Sequence, residues 1–153
     1  MASEKVIELL NKARGRELTA IMQYMAQHYE LEDQDFGKLA GKMKEIAIQE
    51  MKHAEDLAER ILFLGGVPIS KPDGKAMHGQ EIVDMLATDI QLESGAVEMY
   101  NAASVVCAEE RDQVSKELFD RLLGEEEEHL DYIENVKDHV DQMGAAYLAT
   151  LTG

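Results

Sequence analysis

Glu50-Met51-Lys52-His53 stands in the middle of an otherwise apolar helical segment, and it organises the interpretation of the whole chain. A carboxylate and an imidazole three residues apart lie on one helix face, close enough to bind the same ion. The same spacing recurs in Glu126-Glu127-Glu128-His129, and a lone glutamate, Glu17 or Glu93, precedes each pair at the same distance along the chain. One constant offset relates each ligand of the first half to its counterpart in the second. The sequence therefore contains two copies of one helix pair, each with the same three metal-type ligands.

The spacing of apolar residues predicts an all-α protein. Apolar positions recur in steps of three or four, with Ser3 placed as the N-cap of the first helix. Gly65-Gly66 closes the second helix, and both prolines fall in residues 66–80, which predicts a long crossover along a four-helix bundle. The tail after Gly144 is short and apolar. The predicted helices cover 3–33, 36–64, 80–107, 112–142 and a short 145–151.

Composition restricts the class of protein. A chain of 153 residues fits one domain, and its single Cys107 excludes an internal disulfide and any multi-cysteine zinc or rubredoxin-type site. The net charge of −16 argues against nucleic acid as a partner, because phosphate binding needs clustered lysine and arginine. The N-terminus has no apolar signal core, and no stretch approaches the roughly 20 apolar residues of a membrane span. We therefore expect a cytoplasmic protein with no membrane partner.

The two ligand sets point to a pair of metal ions. Isolated carboxylates in a bundle core cost several kcal/mol each, and no lysine or arginine shares their positions on the helix stripes. Divalent cations supply the missing positive charge. One glutamate from each of two helices and a Glu-x-x-His from each of the other two form the ligand set of di-iron and di-manganese carboxylate bundles. Oxygen donors with one imidazole per metal suit iron or manganese.

The segments around these ligands resemble those of bacterioferritin across nearly the whole chain. The matching segments are Glu17–Tyr24, Glu50–Glu55, Glu59–Gly66, Asp89–Glu93 and Glu126–Tyr132. The resemblance implies a ferritin-like four-helix bundle with a short fifth helix, assembled from twofold dimers into a hollow shell of twenty-four copies. It also implies a ferroxidase that oxidises Fe(II) with O2 or H2O2 and stores ferric mineral inside. A ferredoxin-type reductant is the partner expected for iron release.

The resemblance also assigns roles to individual residues. Glu17 and His53 are expected to hold one iron, and Glu93 and His129 the other. The carboxylates expected to bridge the two ions are Glu50 and Glu126.

Two further residues take roles from the family. A tyrosine near the centre, here Tyr24, serves as a hydrogen-bond or redox partner, although core packing is the default reading for Tyr24 and its repeat equivalent Tyr100. Met51 adjoins a ligand but faces about 100° away from it, so it should point out of the bundle core. In bacterioferritins this methionine is the axial ligand of a haem b shared between two subunits.

The chain departs from the family pattern in a few places, and two other classes remain as alternatives. Glu45 and Gln49 stand where many members have histidine and aspartate of an inner-surface iron site, and Tyr132 replaces a common tryptophan. His28, His78 and His139 lie outside the repeat and are predicted to be surface residues.

A Dps-like mini-ferritin builds its iron site between subunits, and a rubrerythrin-like di-iron peroxidase normally adds a rubredoxin-type cysteine site.

Overall fold

The computed structural model of the protein describes residues 3–153, which form four long helices and a short C-terminal fifth. No β-strand occurs in this range. Each boundary of the four long helices lies within two residues of the range predicted from the sequence, whereas the short fifth helix ends three residues before its predicted end and a 3-10 turn covers the rest. None of the helices in residues 3–153 is long and apolar enough to cross a membrane. The helices are α1 (Glu4–Asp33), α2 (Gly37–Phe63), α3 (Ile82–Glu109), α4 (Gln113–Met143) and α5 (Ala145–Leu148), the last followed by a 3-10 turn (Ala149–Leu151).

The helix ends follow from local sequence. The hydroxyl of Ser3 accepts a hydrogen bond from the backbone N–H of Val6, which confirms the predicted N-cap of α1. At the end of α2 the backbone of Gly65 has a φ of +86°, a left-handed conformation that glycine adopts without steric cost. The N–H of Gly66 then bonds to the carbonyl of Ile61, which satisfies an otherwise free carbonyl of the last turn.

The internal repeat extends to the turns inside each helix pair. Asp35 and Arg111, at equivalent positions, are the two non-glycine residues with positive φ in the described range, at 68° and 59°. The hydrogen bonds around them repeat as well: Phe36 N–H donates to the Leu31 carbonyl, and at the equivalent positions of the second pair Asp112 N–H donates to the Cys107 carbonyl. The same turn therefore joins α1 to α2 and α3 to α4, although neither turn contains glycine at that position.

The crossover between α2 and α3 runs back along α1 and is held there by side chains. The amide group of Gln23 donates to the carbonyl of Met77 over 3.0 Å and accepts from its N–H over 2.7 Å. Nearer the start of α1, Asn11 accepts from the N–H of Ile69 over 2.9 Å. These contacts fix the long connection, after which α3 runs antiparallel to α1, since Gln27 pairs with Asp89 and Glu17 with Tyr100.

The apolar core is divided into two clusters by a polar layer. One cluster contains Tyr24, Met43 and Ile133, and the other contains Leu57 and Phe119. The helices contribute buried charged residues between these clusters, at one level of the bundle. Burying charge in this position is unfavourable unless it is compensated, so this layer is where a function is expected.

One histidine prediction was wrong. His28 is buried, with 8% of its surface exposed, and its Nδ1 lies 2.7 Å from the carbonyl oxygen of Ala40. Its ring contacts α2 because the buried face of α1, on which Glu17 and Tyr24 lie, continues as far as His28. His78 and His139 are exposed, as predicted.

Candidate metal centre

The polar layer contains all six residues predicted as metal ligands. None of the six exposes more than 5% of its surface. Each helix of the bundle contributes: Glu17 from α1, Glu50 and His53 from α2, Glu93 from α3, and Glu126 and His129 from α4. Their inward orientation follows from the spacing of three or four residues that places them on the apolar stripe of each helix.

The first group surrounds Nδ1 of His53. This nitrogen lies 2.9 Å from Oε1 of Glu126, 3.2 Å from Oε1 of Glu50 and 3.5 Å from Oε2 of Glu17. One ligand atom from each of these four residues lies within 4.8 Å of all the others, which is a spacing that one metal ion can span.

The second group surrounds Nδ1 of His129. The nitrogen lies 3.4 Å from Oε1 of Glu50, 3.7 Å from Oε2 of Glu126 and 3.8 Å from Oε1 of Glu93. Glu50 and Glu126 therefore belong to both groups, whereas Glu17 and Glu93 each belong to one. The two imidazole rings are nearly parallel, with centroids 6.3 Å apart.

Protons compensate the charges in the metal-free site. Burial, and then the charges of neighbouring glutamates, raise the pKa of Glu17 and Glu50. Burial and the charge of Glu50 likewise raise the pKa of Glu93. Burial by itself also raises the pKa of Glu126, but its close contacts with Glu93 and the two histidines outweigh burial and lower that pKa well below its usual range. A single strongly anionic carboxyl group thus lies between neighbours that favour the protonated form.

The histidines supply the positive charge. Burial lowers the pKa of His129, but the close carboxyl groups of Glu126 and Glu50 outweigh it and raise this pKa to about 9. The pKa of His53 is raised further by the same balance, through Glu126, Glu17 and Glu50. Both shifts favour the protonated rings when no metal is bound. Divalent cations, if bound here, would replace these protons as the partners of the carboxylates.

The donor atoms of the site fit a pair of metal ions. Several buried atoms have no hydrogen-bond partner within residues 3–153, although unpartnered buried polar atoms are rare in folded proteins. They include one carboxylate oxygen of each of the four glutamates and an imidazole nitrogen: Glu17 Oε2, Glu50 Oε1, Glu93 Oε2, Glu126 Oε2 and His129 Nδ1. Carboxylate oxygens with one imidazole per position suit iron or manganese.

The two tyrosines take part in the site, beyond the core packing that is the default for such residues. Tyr24 donates a hydrogen bond from its hydroxyl to Oε1 of Glu93, over 2.6 Å. Tyr100 donates in the same way to Oε1 of Glu17. Burial, followed by the charges of the nearby acids, raises the pKa of both phenols, so both remain protonated donors.

The remaining family positions lie around the site. Met51 is 45% exposed on the outside of α2, as its position on the helix predicted. Glu45 is exposed and lies 3.6 Å from Lys42, whose ammonium group also lies over the ring of Tyr132. Gln49 accepts a hydrogen bond from Nε2 of His129.

A buried pair near the site was not predicted from the sequence. Asp89, one turn before Glu93 on α3, is fully buried and accepts a hydrogen bond over 2.6 Å from the side-chain amide of Gln27. Burial raises the pKa of Asp89 well above its usual range, although the amide of Gln27 lowers it in part. The spacing of four residues to Glu93 was the available signal, because it places both acids on one helix face.

Comparison with known proteins agrees with this architecture. Residues 7–143 match the ferritin-like domain family. The bacterioferritin of Desulfovibrio desulfuricans is 48% identical over 149 residues, which cover 97% of this chain and 83% of that protein. The bacterioferritin of Brucella melitensis is 38% identical, over 92% of this chain and 87% of the relative.

A solved structure extends the agreement to three dimensions. An X-ray structure of the D. desulfuricans bacterioferritin, which describes its diiron site in different catalytic states, superposes with a TM-score of 0.95. The alignment covers 97% of this chain and 87% of that chain. From its sequence, its fold and the matching structure, this chain belongs to the bacterioferritin family of ferritin-like proteins.

Proposed function

We propose that this iron-storage chain is a ferroxidase that oxidises Fe(II) at the buried centre and passes Fe(III) to a mineral store. The observation that carries the proposal is the pair of overlapping ligand groups, which share Glu50 and Glu126. All six ligands come from one chain, which supports this function over that of a mini-ferritin with its iron site between subunits.

The residues have separate tasks in this proposal. Glu17 and His53 would hold one Fe(II), Glu93 and His129 would hold the other, and the two shared glutamates would supply oxygen donors to both. When bound, the two iron ions supply one electron each to O2 or H2O2.

The surrounding side chains fix and protect this arrangement. The phenols of Tyr24 and Tyr100 orient the carboxylates of Glu93 and Glu17 through the hydrogen bonds described above. The imidazolium protons of the metal-free site leave when iron binds, which makes the binding sensitive to pH. Apolar clusters on both sides of the layer exclude bulk water from the ligands.

The test is Fe(II) binding and oxidation by the purified, metal-free protein. We expect about two Fe(II) per chain and rapid oxidation in air. Glu50→Ala and Glu126→Ala should each abolish the fast phase, because each removes an oxygen ligand available to both ions. Glu55→Ala, on the exposed side of α2, is the matched control. Wild-type rates in both ligand variants would refute the assignment.

We further propose assembly into a shell of about twenty-four subunits. Membership of the bacterioferritin family supports this, as do exposed apolar side chains on α1 and α2, among them Met22 and Ile48. Native mass measurement or sedimentation tests the number directly. A stable monomer or a twelve-subunit particle would contradict it.

Haem binding at Met51 completes the proposal. Contacts from Arg14 to the Ala54 carbonyl and from His28 to the Ala40 carbonyl show that α1 and α2 run antiparallel. This register places Met22 of α1 near the level of Ile48 and Met51 of α2, all three at least 40% exposed.

An exposed thioether beside apolar side chains suits the axial ligation of a haem b at a twofold axis. A second copy of Met51 would then bind the opposite face of the porphyrin.

A further inference from the structure

The outer nitrogen of each histidine faces the residue that precedes a bridging glutamate of the other repeat. Nε2 of His129 donates a hydrogen bond to Oε1 of Gln49. Nε2 of His53 lies 3.3 Å from Oε2 of Glu125. Positions 49 and 125 are related by the same offset as the ligands, so they are equivalent in the internal repeat. The symmetry of the centre therefore extends to the groups behind its histidines, but the chemistry of those groups differs.

The difference is one of charge. The Gln49 side chain is a neutral amide, which fixes the ring of His129 so that Nδ1 faces the carboxylates. Glu125 is an anion, and its contact with His53 is an ion-pair contact, since Nε2 of His53 has no aligned hydrogen-bond acceptor in the described chain. An acidic partner behind a ligating imidazole strengthens the ring as a donor and adds negative potential at the metal.

A neighbouring arginine reduces this effect without cancelling it. Arg121 lies 3.4 Å from Oε2 of Glu125, but its guanidinium also lies 2.8 Å from Oδ2 of Asp56. The group formed by Arg121, Asp56 and Glu125 keeps a net negative charge, because two carboxylates face one guanidinium. The side chain of Glu125 is 40% exposed, so solvent screens part of this charge.

We propose that Gln49 and Glu125 are positioning residues that make the two metal positions unequal, with the His53 position binding a divalent cation more tightly than the His129 position. The inference rests on the proposed two-metal function. It goes beyond that function because it assigns an order of filling: the position of Glu17 and His53 fills first, and the position of Glu93 and His129 fills second. Partners that orient a ligating histidine typically change metal affinity by about 10–100-fold. We expect the affinities of the two positions to differ by about tenfold, the lower limit of this range, since Glu125 is partly solvated.

The test uses Zn(II), which binds without oxidation, and a swap variant that keeps the net charge of the chain. Crystals of the assembled wild-type protein loaded with one Zn(II) per chain should show most of the anomalous signal at the His53 position. In the double variant Gln49→Glu/Glu125→Gln the preference should reverse. Calorimetric titration of the same proteins should resolve two stepwise affinities that differ by about tenfold in the wild type.

The outcomes separate this inference from the proposed function. Equal occupancy of both positions in the wild type, or an unchanged order in the swap variant, overturns the inference and leaves the two-metal centre intact. Binding of fewer than two Zn(II) at saturation contradicts the two-metal centre and the inference together. The single variant Gln49→Glu gives an independent measurement, since it should tighten the weaker position by about tenfold without weakening the tighter one.

Discussion

The hydroxyl oxygen of Tyr24 lies 2.6 Å from Oε1 of Glu93, so a tyrosine of the first repeat supports the lone glutamate of the second. The reciprocal contact joins Tyr100 to Glu17. Each terminal carboxylate is thus held by a phenol from the opposite half of the chain. The crossed arrangement links the two helix pairs at the level of the candidate metal centre and fixes one oxygen of each of these two glutamates.

Removing either phenol should weaken one metal position selectively. Tyr24→Phe leaves Oε1 of Glu93 without its donor, so the position of Glu93 and His129 should lose about tenfold in affinity for Zn(II). Tyr100→Phe should lower the affinity of the position of Glu17 and His53 for Zn(II) in the same way. Calorimetric titration measures both affinities.

The control for these variants is Tyr29→Phe on α1, where the side chain is 63% exposed. It should leave both affinities unchanged. If Tyr24→Phe and Tyr100→Phe bind Zn(II) as the wild type does, the phenols act only in core packing.

The metal-free protein should gain stability from a substitution that damages the centre. Burial, and then the charge of Glu126, raise the pKa of Glu50, so ionised Glu50 is a net cost in the folded state at neutral pH. Glu50→Gln keeps the shape and removes this cost, and we expect a gain on the order of 1 kcal/mol in the free energy of unfolding. Thermal unfolding in the presence of a chelator measures it.

The same variant should lose the stabilisation that metal provides. Zn(II) at about 100 times its Kd stabilises the wild type by about 2.7 kcal/mol, and the variant should gain much less because a shared ligand is missing. Glu55→Gln, an exposed change on the same helix, should behave as the wild type in both conditions. A metal-free Glu50→Gln protein less stable than the wild type would mean that the contacts of Glu50 with the histidines outweigh its burial.

Haem binding should depend on Met51 alone among the exposed methionines. Met51→Leu should abolish haem uptake on reconstitution, and Met51→His should change the low-spin, bis-thioether absorption spectrum. Fast Fe(II) oxidation should persist in both, because Met51 lies outside the buried ligand set. Met143→Leu is the matched control, since Met143 is 48% exposed and Met51 is 45% exposed. Unchanged haem content in Met51→Leu would leave Met51 with a packing role only.

The sequence predicted the helices and the inward positions of the six candidate ligands because both depend on spacing along the chain. Glu50 and His53 share a face through helical periodicity, and the internal repeat extends that argument to the second half. The contact between Glu125 and His53 could not be predicted in the same way. In the run of four glutamates before His129, only Glu126 is on the apolar stripe, and the orientation of Glu125 depends on how α2 and α4 pack.

The burial of polar side chains away from the candidate ligands also could not be predicted from spacing along the sequence. His28 was predicted to be a surface residue because it lies outside the repeat, yet its ring bonds to the carbonyl of Ala40 across α1 and α2. Gln27 and Asp89 form a pair only because α1 and α3 approach each other inside the bundle. The spacing of Asp89 and Glu93 indicates only a shared helix face. The partner that each side chain meets across helices is a property of tertiary packing, which spacing along the chain does not specify.

The pair of Asp89 and Gln27 gives the final prediction, which concerns the pH dependence of stability. Burial raises the pKa of Asp89 well above its usual range, so the folded state favours the protonated acid. The stability that this provides is complete below the usual pKa of about 3.9 and is lost as the pH rises towards the folded-state pKa. At neutral pH the buried carboxyl group is therefore a cost to the wild type. Its Oδ2 and Oε1 of Gln27 have no hydrogen-bond partners in the described part of the chain.

Asp89→Asn should remove that cost, because the new amide is neutral and can donate to Oε1 of Gln27 while still accepting from its Nε2. We expect about 1–3 kcal/mol of added stability for the metal-free protein at pH 7, with the gain shrinking as the pH falls towards 4. Calorimetric unfolding of both proteins across this pH range measures the difference, from which titrations common to both cancel. Glu98→Gln, an exposed change on α3, should show no such trend. Parallel pH profiles for the wild type and Asp89→Asn would show that this carboxyl group does not favour its protonated form in the fold.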